Sequence, residues 1–202
     1  MIITWNGEGS FTIVAKPAQS DVTVVLNPFS VPTRIKPQAA SLVVSSHDDK
    51  DANAFSLVSP EHPEEGKKVF PVTHAGEYEV QGVFVHGVHA AKKDGSPHTI
   101  YRITAEGIRV GYLGALDRNV TTAELEQLGS VDVLLIALGE GRMSPTLAPE
   151  VIHAVDPLIV LPAYEGGALA LGCPTEEVAK CKISKSQLVG VEEMKQVVLQ
   201  KV

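Results

Sequence analysis

Two rhythms of apolar and polar residues divide the chain. The first half carries short apolar or alternating runs punctuated by turn residues, the pattern of strands. "IITW", "SFTIVA" and "DVTVVLN" are separated by Asn6, Gly7, Gly9, Pro17 and Asp21. "ASLVVSS" reads as a buried strand running into a polar loop. After a stretch rich in Pro, Glu and Lys at 59–68, the strand signals resume as "KVFPV", "YEVQGVFVHGVHA", "HTIYRITA" and "IRVGYLG". Gly107, between the last two, predicts a tight hairpin.

The second half changes rhythm. "TTAELEQLG" predicts a helix with a threonine N-cap, an acidic first turn, apolar Leu125 and Leu128, and Gly129 as its stop. "VDVLLIAL" and "DPLIVLPAY" are continuous apolar runs, expected as fully buried strands. "SPTLAPEVIHAV" predicts a helix capped by Ser144 with Pro145 at its first position. "PTEEVAKC" is expected as a further helix, and "EEMKQVVLQKV" as a terminal strand or helix. No internal period or low-complexity segment breaks this order. The pattern predicts an α/β (α+β) protein, β-rich early and alternating later, with sheets covered by helices.

Composition narrows the function classes. The 202 residues suffice for a domain with a proper core. A net charge of −7 argues against a nucleic-acid surface, which needs clustered Lys and Arg. The longest clean apolar run, "VLLIAL", is far too short to span a bilayer. "MIITWNGEG" has no basic start and no long apolar stretch, so no signal peptide is expected. Cys173 and Cys181 are too few for a disulfide scaffold. On a shared helix they would stand about 12 Å apart, beyond the reach of a bridge. The expected location is the cytoplasm, with neither nucleic acid nor membrane as partner.

The chemistry concentrates in "LVVSSHDDKDANAF". His47, Asp48, Asp49, Lys50 and Asp51 at the mouth of a strand look like a metal site, with one histidine where several are wanted. Read alone, the cluster is a solvated acidic loop. His86 and His98 read as surface or strand residues, and His74 as a residue near the mouth without a role. Glu77 and Glu79 share a strand face and read as strand-pairing residues. Gly139 and Gly141 read as a turn. Ser45, Ser46 and Ser144 lack the Gly-x-Ser-x-Gly context of a nucleophile.

The order of motifs is similar to that of a known family. "ITWNGEGSF", "VVLNPFS", "VVSSHDDKDA", "HAGEYEVQGVFVHGVHA", "TIYRI", "YLGALD", "SVDVLLIALGEG" and "IVLPAYEG" follow one another over residues 1–166. They resemble the metallo-β-lactamase fold superfamily, and within it the small bacterial proteins described as zinc-dependent hydrolases of the β-lactamase fold. "GEYEVQGV" is the most specific of them. The resemblance implies a four-layer αββα sandwich, one domain over residues 1–202, with a metal site along one edge between two sheets.

Carried over residue by residue, the family's His-x-His-x-Asp-His motif falls on His47, Asp49, Asp51 and Ala52. Its later histidine falls on His89, its bridging aspartate on Ala115 and its last histidine on Tyr164. Two supporting positions are Glu8 in place of histidine and Asn27 in place of aspartate. Alanine has no donor atom, so no dinuclear centre is expected. His47, Asp49 and His89 remain as a set for at most one metal ion, with Asp51 as the candidate base for a bound water. The implied protein has this fold, has lost most metal ligands, carries no cofactor, and holds a binding or structural role rather than hydrolysing a substrate. The alternative is a metal-dependent hydrolase with one zinc or other divalent ion at His47, Asp49 and His89. The partner is a small molecule or a protein, and a homo-oligomer is compatible with either reading. Residues 47, 49, 51, 89, 115 and 164 are expected to converge in one cleft, with room for larger side chains at the alanines.

Overall fold

Strands from both halves of the chain form two β-sheets stacked face to face. The computed structural model describes all residues 1–202. The first strands are β1 (Ile2–Gly7), β2 (Ser10–Ala15), β3 (Val22–Leu26), β4 (Gln38–Ala40), β5 (Leu42–Val44), β6 (Val58–Pro60) and β7 (Phe70–Val72). Next come β8 (Gly76–Val80), β9 (Val83–His89), β10 (Thr99–Ala105), β11 (Ile108–Tyr112), β12 (Val133–Ala137), β13 (Ile159–Ala163), β14 (Thr175–Val178), β15 (Cys181–Lys182) and β16 (Lys195–Leu199). The helices are α1 (Thr122–Leu128), α2 (Ala148–Val155) and α3 (Lys185–Leu188).

One sheet has six strands in the order β15-β1-β2-β3-β5-β7, the other eight in the order β14-β16-β13-β12-β11-β10-β9-β8. The alternating sequences make an antiparallel meander, β8 to β11. The continuous apolar runs make the parallel strands β12 and β13, in which every residue is buried, because both faces of that part of the sheet are covered. Glu106 and Gly107 both hold positive φ, 55° and 71°. A two-residue hairpin of matching twist needs this at both central positions, and glycine adopts it without strain.

The main core lies between the sheets. Trp5, Phe11, Ile13 and Leu26 of one sheet face Tyr101, Ile103, Tyr112 and Leu135 of the other. A second cluster covers the outer face of the eight-stranded sheet, where Leu128 of α1 and Val151 and Ile152 of α2 pack on Ile100, Leu134, Ile136 and Val160. The outer face of the six-stranded sheet is covered differently. Val25 and Val43 there pack under Ala40 and Val58 of the small β4–β6 pair. No helix is long and apolar enough to cross a membrane.

Helix α1 forms as expected, with Thr121 and Glu124 closing a capping box. Two segments differ from expectation. "PTEEVAKC" forms strands rather than a helix, because residues 175–178 pair in parallel with β16 at the sheet edge. Edge pairing overrides the helix propensity of Glu and Ala. This also settles the C-terminal segment as strand, and both cysteines are free thiols. Ser144 opens a turn, its carbonyl accepting from the N–H groups of Leu147 and Ala148. The helix itself starts at Ala148, with no side-chain cap from Leu147.

One buried charge ties the crossover strands together. Asp132, almost fully buried, accepts from Arg109 N at 2.8 Å, Nε at 3.0 Å and Nη2 at 2.6 Å. Burial alone would raise its pKa, but the Arg109 hydrogen bonds and charge outweigh it and hold the carboxyl below the usual range. Asp132→Asn should lower stability by about 2 kcal/mol at neutral pH. A depressed folded pKa contributes stability above the unfolded value, about 4, and that stability is lost as pH falls through the folded value. Urea unfolding of the two proteins should therefore differ at pH 7 and converge on acidification below about pH 4. A gap of constant size across that range would contradict this role.

Candidate functional site

The C-terminal ends of β5, β12 and β13 lie along one edge of the sandwich, where loops from both sheets meet. Open α/β sheets place ligands at such strand ends. The loop after β5 begins with Ser45 and Ser46, both buried. The Asp49 carbonyl accepts from Ala52 N and Asn53 N, both at 2.9 Å, and closes a turn. That turn brings residues i and i+4 together, so His47 Nε2 meets Asp51 Oδ1 at 2.8 Å.

The other side of His47 is held as firmly. Its Nδ1 meets the Ser46 hydroxyl at 2.9 Å. Asn27 Nδ2 donates to Ser46 Oγ, and Ser46 N donates to Asn27 Oδ1, both at 2.8 Å. Asn27 is itself held at positive φ, 43°, by its N–H bond to the Val44 carbonyl. Whichever nitrogen carries the proton, both ring nitrogens are engaged, so His47 presents no free lone pair.

Asp51 continues the chain of partners. The His47 hydrogen bond holds its pKa below the usual carboxylate range, against the opposing pull of burial, and the charges of His47 and Arg142 act in the same sense. Arg142, from the loop after β12, places Nη2 3.5 Å from Asp51 Oδ2 and 3.0 Å from Glu8 Oε2. Glu8 sits in the β1–β2 turn at φ 50°, where its carbonyl also accepts from Trp5 Nε1 at 2.9 Å. The result is a continuous string of contacts, Asn27–Ser46–His47–Asp51–Arg142–Glu8.

Two clefts adjoin this string of contacts. The larger, about 520 Å³, is lined wholly by polar residues, glycine and proline, including His47, Asp49, Asp51, Lys92, Asp94 and Glu140. The smaller, about 230 Å³, is bounded by Trp5, Glu8, Arg142 and Tyr164. Lys92 reaches across the larger one, its Nζ donating to the Gly141 carbonyl at 2.9 Å.

The structure thus gathers some of the expected residues and separates others. His47, Asp49 and Asp51 share the larger cleft, and Tyr164 lines its neighbour. Asp49 points outward and accepts from Lys50 N at 2.6 Å. His89 is exposed at the end of β9 and lines neither cleft. No three of the cleft's His, Asp and Glu side chains stand close enough together to share an ion. Ala52 and Ala115 are both buried, and neither borders either cleft. The expected room at these two alanines is absent. By geometry and chemistry, the residues at the strand ends do not fit a metal centre: Ala52 and Ala115 lack donors, His47 and Asp51 are bonded to each other, and His89 lies outside the cleft.

Three participants were not foreseen. Arg142 and Lys92 carry no motif, although both sit in loops following strands. His98, expected as a surface or strand residue, is buried with its ring 5.6 Å from that of His47. Burial pushes its pKa down to about 4, although the hydrogen bond to the Leu113 carbonyl, at 2.9 Å, pulls the other way. It is therefore neutral at pH 7. A separate trio, His62, Glu64 and Glu65, is exposed on a 3₁₀ turn and has donor atoms close enough to share an ion. All three already have partners, since Glu65 pairs with Lys67 at 2.6 Å and His62 meets Glu64 at 3.3 Å.

A two-sheet sandwich with a polar cleft at its strand ends defines the metallo-β-lactamase fold, and solved structures bear this out. A Thermotoga maritima protein, provisionally assigned as a Zn-dependent hydrolase of the metallo-β-lactamase superfamily, is 26% identical. It aligns over 100% of this chain and 99% of its own, with a TM-score of 0.77. Igni18, a metallo hydrolase from Ignicoccus hospitalis, is 15% identical over 99% of this chain and 94% of its own, with a TM-score of 0.58. The metallo-β-lactamase fold protein YhfI of Bacillus subtilis is 10% identical over 99% and 96%, with a TM-score of 0.59. These last two show the fold alone. The model of the Beta-lactamase superfamily domain matches residues 2–164, and the chain belongs to that family. A search of curated protein sequences gives no match.

Proposed function

We propose that the chain is a single metallo-β-lactamase-like domain over residues 1–202, working in the cytoplasm in a binding or structural role, without the metal-dependent hydrolysis of its relatives. The observation that supports this most is the closed set of partners at the strand ends. Both nitrogens of His47 and both oxygens of Asp51 are engaged by Ser46, Arg142 and each other. Asp51 is thereby unfit as a base, because its pKa is lowered and its oxygens are committed. The alternative, one ion on His47, Asp49 and His89, asks His47 to break a hydrogen bond and asks for three side chains that are not gathered.

The cleft's chemistry suggests its occupant. Asp48, Asp49, Asp51, Asp94 and Glu140 line it against His47 and Lys92, with no hydrophobic wall. A small polar molecule carrying positive charge suits that lining, whereas an apolar ligand would leave these groups desolvated. The test is turnover of ester, amide and phosphodiester substrates at near-neutral pH with and without added zinc. The expected result is no turnover above background in either case. Zinc-stimulated turnover that disappears in His47→Ala would overturn the proposal.

A further inference from the structure

We infer that the side of the sandwich where β7 and β8 end the two sheets docks a second copy of this chain, β7 of each copy pairing with β8 of the other. Each sheet has a free edge there, because β7 is last in the six-stranded sheet and β8 last in the eight-stranded one. The two ends lie side by side. Only Thr73, His74 and Ala75 join them, and the Phe70 and Tyr78 rings meet edge to face at 6.3 Å. Phe70 shares a strand face with the buried Val72, yet it is left 43% exposed.

Both edges carry backbone groups that the sheets do not use. Val80 and Val83 flank the turn at Gln81 and Gly82 and exchange hydrogen bonds, so the bonded pairs alternate to Tyr78 and Gly76. The N–H and C=O groups of Glu77 and Glu79 therefore point away from the sheet. On β7, Phe70 N donates to the Ser41 carbonyl and the Val72 carbonyl accepts from Ser45 N, both at 2.9 Å. The carbonyls of Val69 and Pro71 consequently face the free side, where a proline without an N–H is tolerated. They are acceptors for the free N–H groups of a second copy's β8, the pairing by which sheet edges add strands.

Charge selects which edges meet. Pairing two β8 edges would oppose Glu77 and Glu79 to the same residues of the other copy, and like charges across strands are destabilising. Pairing two β7 edges would oppose proline to proline and lysine to lysine. Pairing β7 with β8 joins unlike charges, since Lys67 and Lys68 lead into β7 whereas Glu77 and Glu79 lie on β8. Lys67 pairs with Glu65 and Glu77 with His86, while Lys68 and Glu79 have no ionic partner within the chain. Phe70 and Tyr78 stand four residues either side of His74. A two-fold axis along the strands therefore brings Phe70 of each copy beside Tyr78 of the other, an isologous contact. The strip is short, five residues on β8, so the dimer belongs to the small, reversible class of interfaces.

Sedimentation velocity of the intact chain, from about 1 μM to about 1 mM, should show a monomer passing reversibly into a dimer. Over the same series, hydrogen exchange should slow at the amides of Glu77 and Glu79. Glu77→Lys with Glu79→Lys should weaken the dimer at least about tenfold, and adding Lys67→Glu with Lys68→Glu should restore it, a rescue that mere loss of structure would not show. If the charge variants fold poorly, Phe70→Ser decides, because that side chain is already 43% exposed; it should weaken the dimer without unfolding the chain. A chain that stays monomeric throughout would overturn the inference and leave the edge to a partner of another sequence. A dimer indifferent to these substitutions, or one that forms without slowing exchange at Glu77 and Glu79, would overturn it as well. None of these outcomes depends on metal at the cleft, so the proposed function stands or falls separately.

Discussion

Gly114→Ala should destabilise the protein by about 3 kcal/mol, among the largest losses available from a single methyl group. Two effects add. Gly114 holds φ at +56°, where a side chain costs about 1 kcal/mol. The new Cβ would also press into Ser46 Oγ and Cβ well inside van der Waals contact, and would meet His98 Cε1 at 3.0 Å. Neither neighbour can yield, since Ser46 is bonded to Asn27 and His47, and His98 to the Leu113 carbonyl. Overpacking of this kind costs about 1–3 kcal/mol. Gly190→Ala is the matched control, with φ of +80° and nothing within 4 Å of the added carbon. Chemical unfolding should show Gly190→Ala losing about 1 kcal/mol and Gly114→Ala distinctly more. Equal losses would mean that the backbone alone demands glycine at 114 and that the Ser46–His98 contact is slack.

Reinstating the family's donors at the alanines should unfold the protein rather than rebuild a metal centre. Ala52 and Ala115 are 0% and 2% exposed. Histidine at 52 overpacks a closed site and buries a polar ring, and aspartate at 115 buries a carboxylate with no counter-charge. Each change should cost about 3 kcal/mol or more. Tyr164→His is expected to be mild, because Tyr164 is half-buried at a cleft wall. Thermal melts of Ala52→His and Ala115→Asp with excess zinc provide the check. Variants that melt near the parent temperature and rise further with zinc would show that the cleft still accommodates the family's ligands.

How much of this was written in the sequence differs between fold and site. The strands of the sandwich were legible because each buries a face, and burial enforces a period of two or a continuous apolar run. Helix α1 was legible from Thr121, Glu124 and Gly129, whose capping chemistry is local. "PTEEVAKC" was not, because its partner β16 lies some twenty residues further on and pairing across that distance leaves no local mark. The site shows the same division. His47 and Asp51 could be singled out from their place in a polar cluster at a strand's end. Arg142 could not, since its partners Glu8 and Asp51 meet it only through the stacking of the two sheets. His98 was misread for a related reason: a lone histidine at the start of a strand gives no sign that a glycine of β11's exit loop, Gly114, packs against it.

The central claim is that internal ion pairs stand where relatives of this fold are described as metal-dependent. Metal per chain tests it most directly. The His62→Ala protein should be equilibrated with excess zinc at near-neutral pH, passed through gel filtration and analysed by mass spectrometry. The account predicts zinc well below one ion per chain, with no difference between this protein and its His47→Ala derivative. One or more ions per chain that survive gel filtration and are lost with His47→Ala would contradict it.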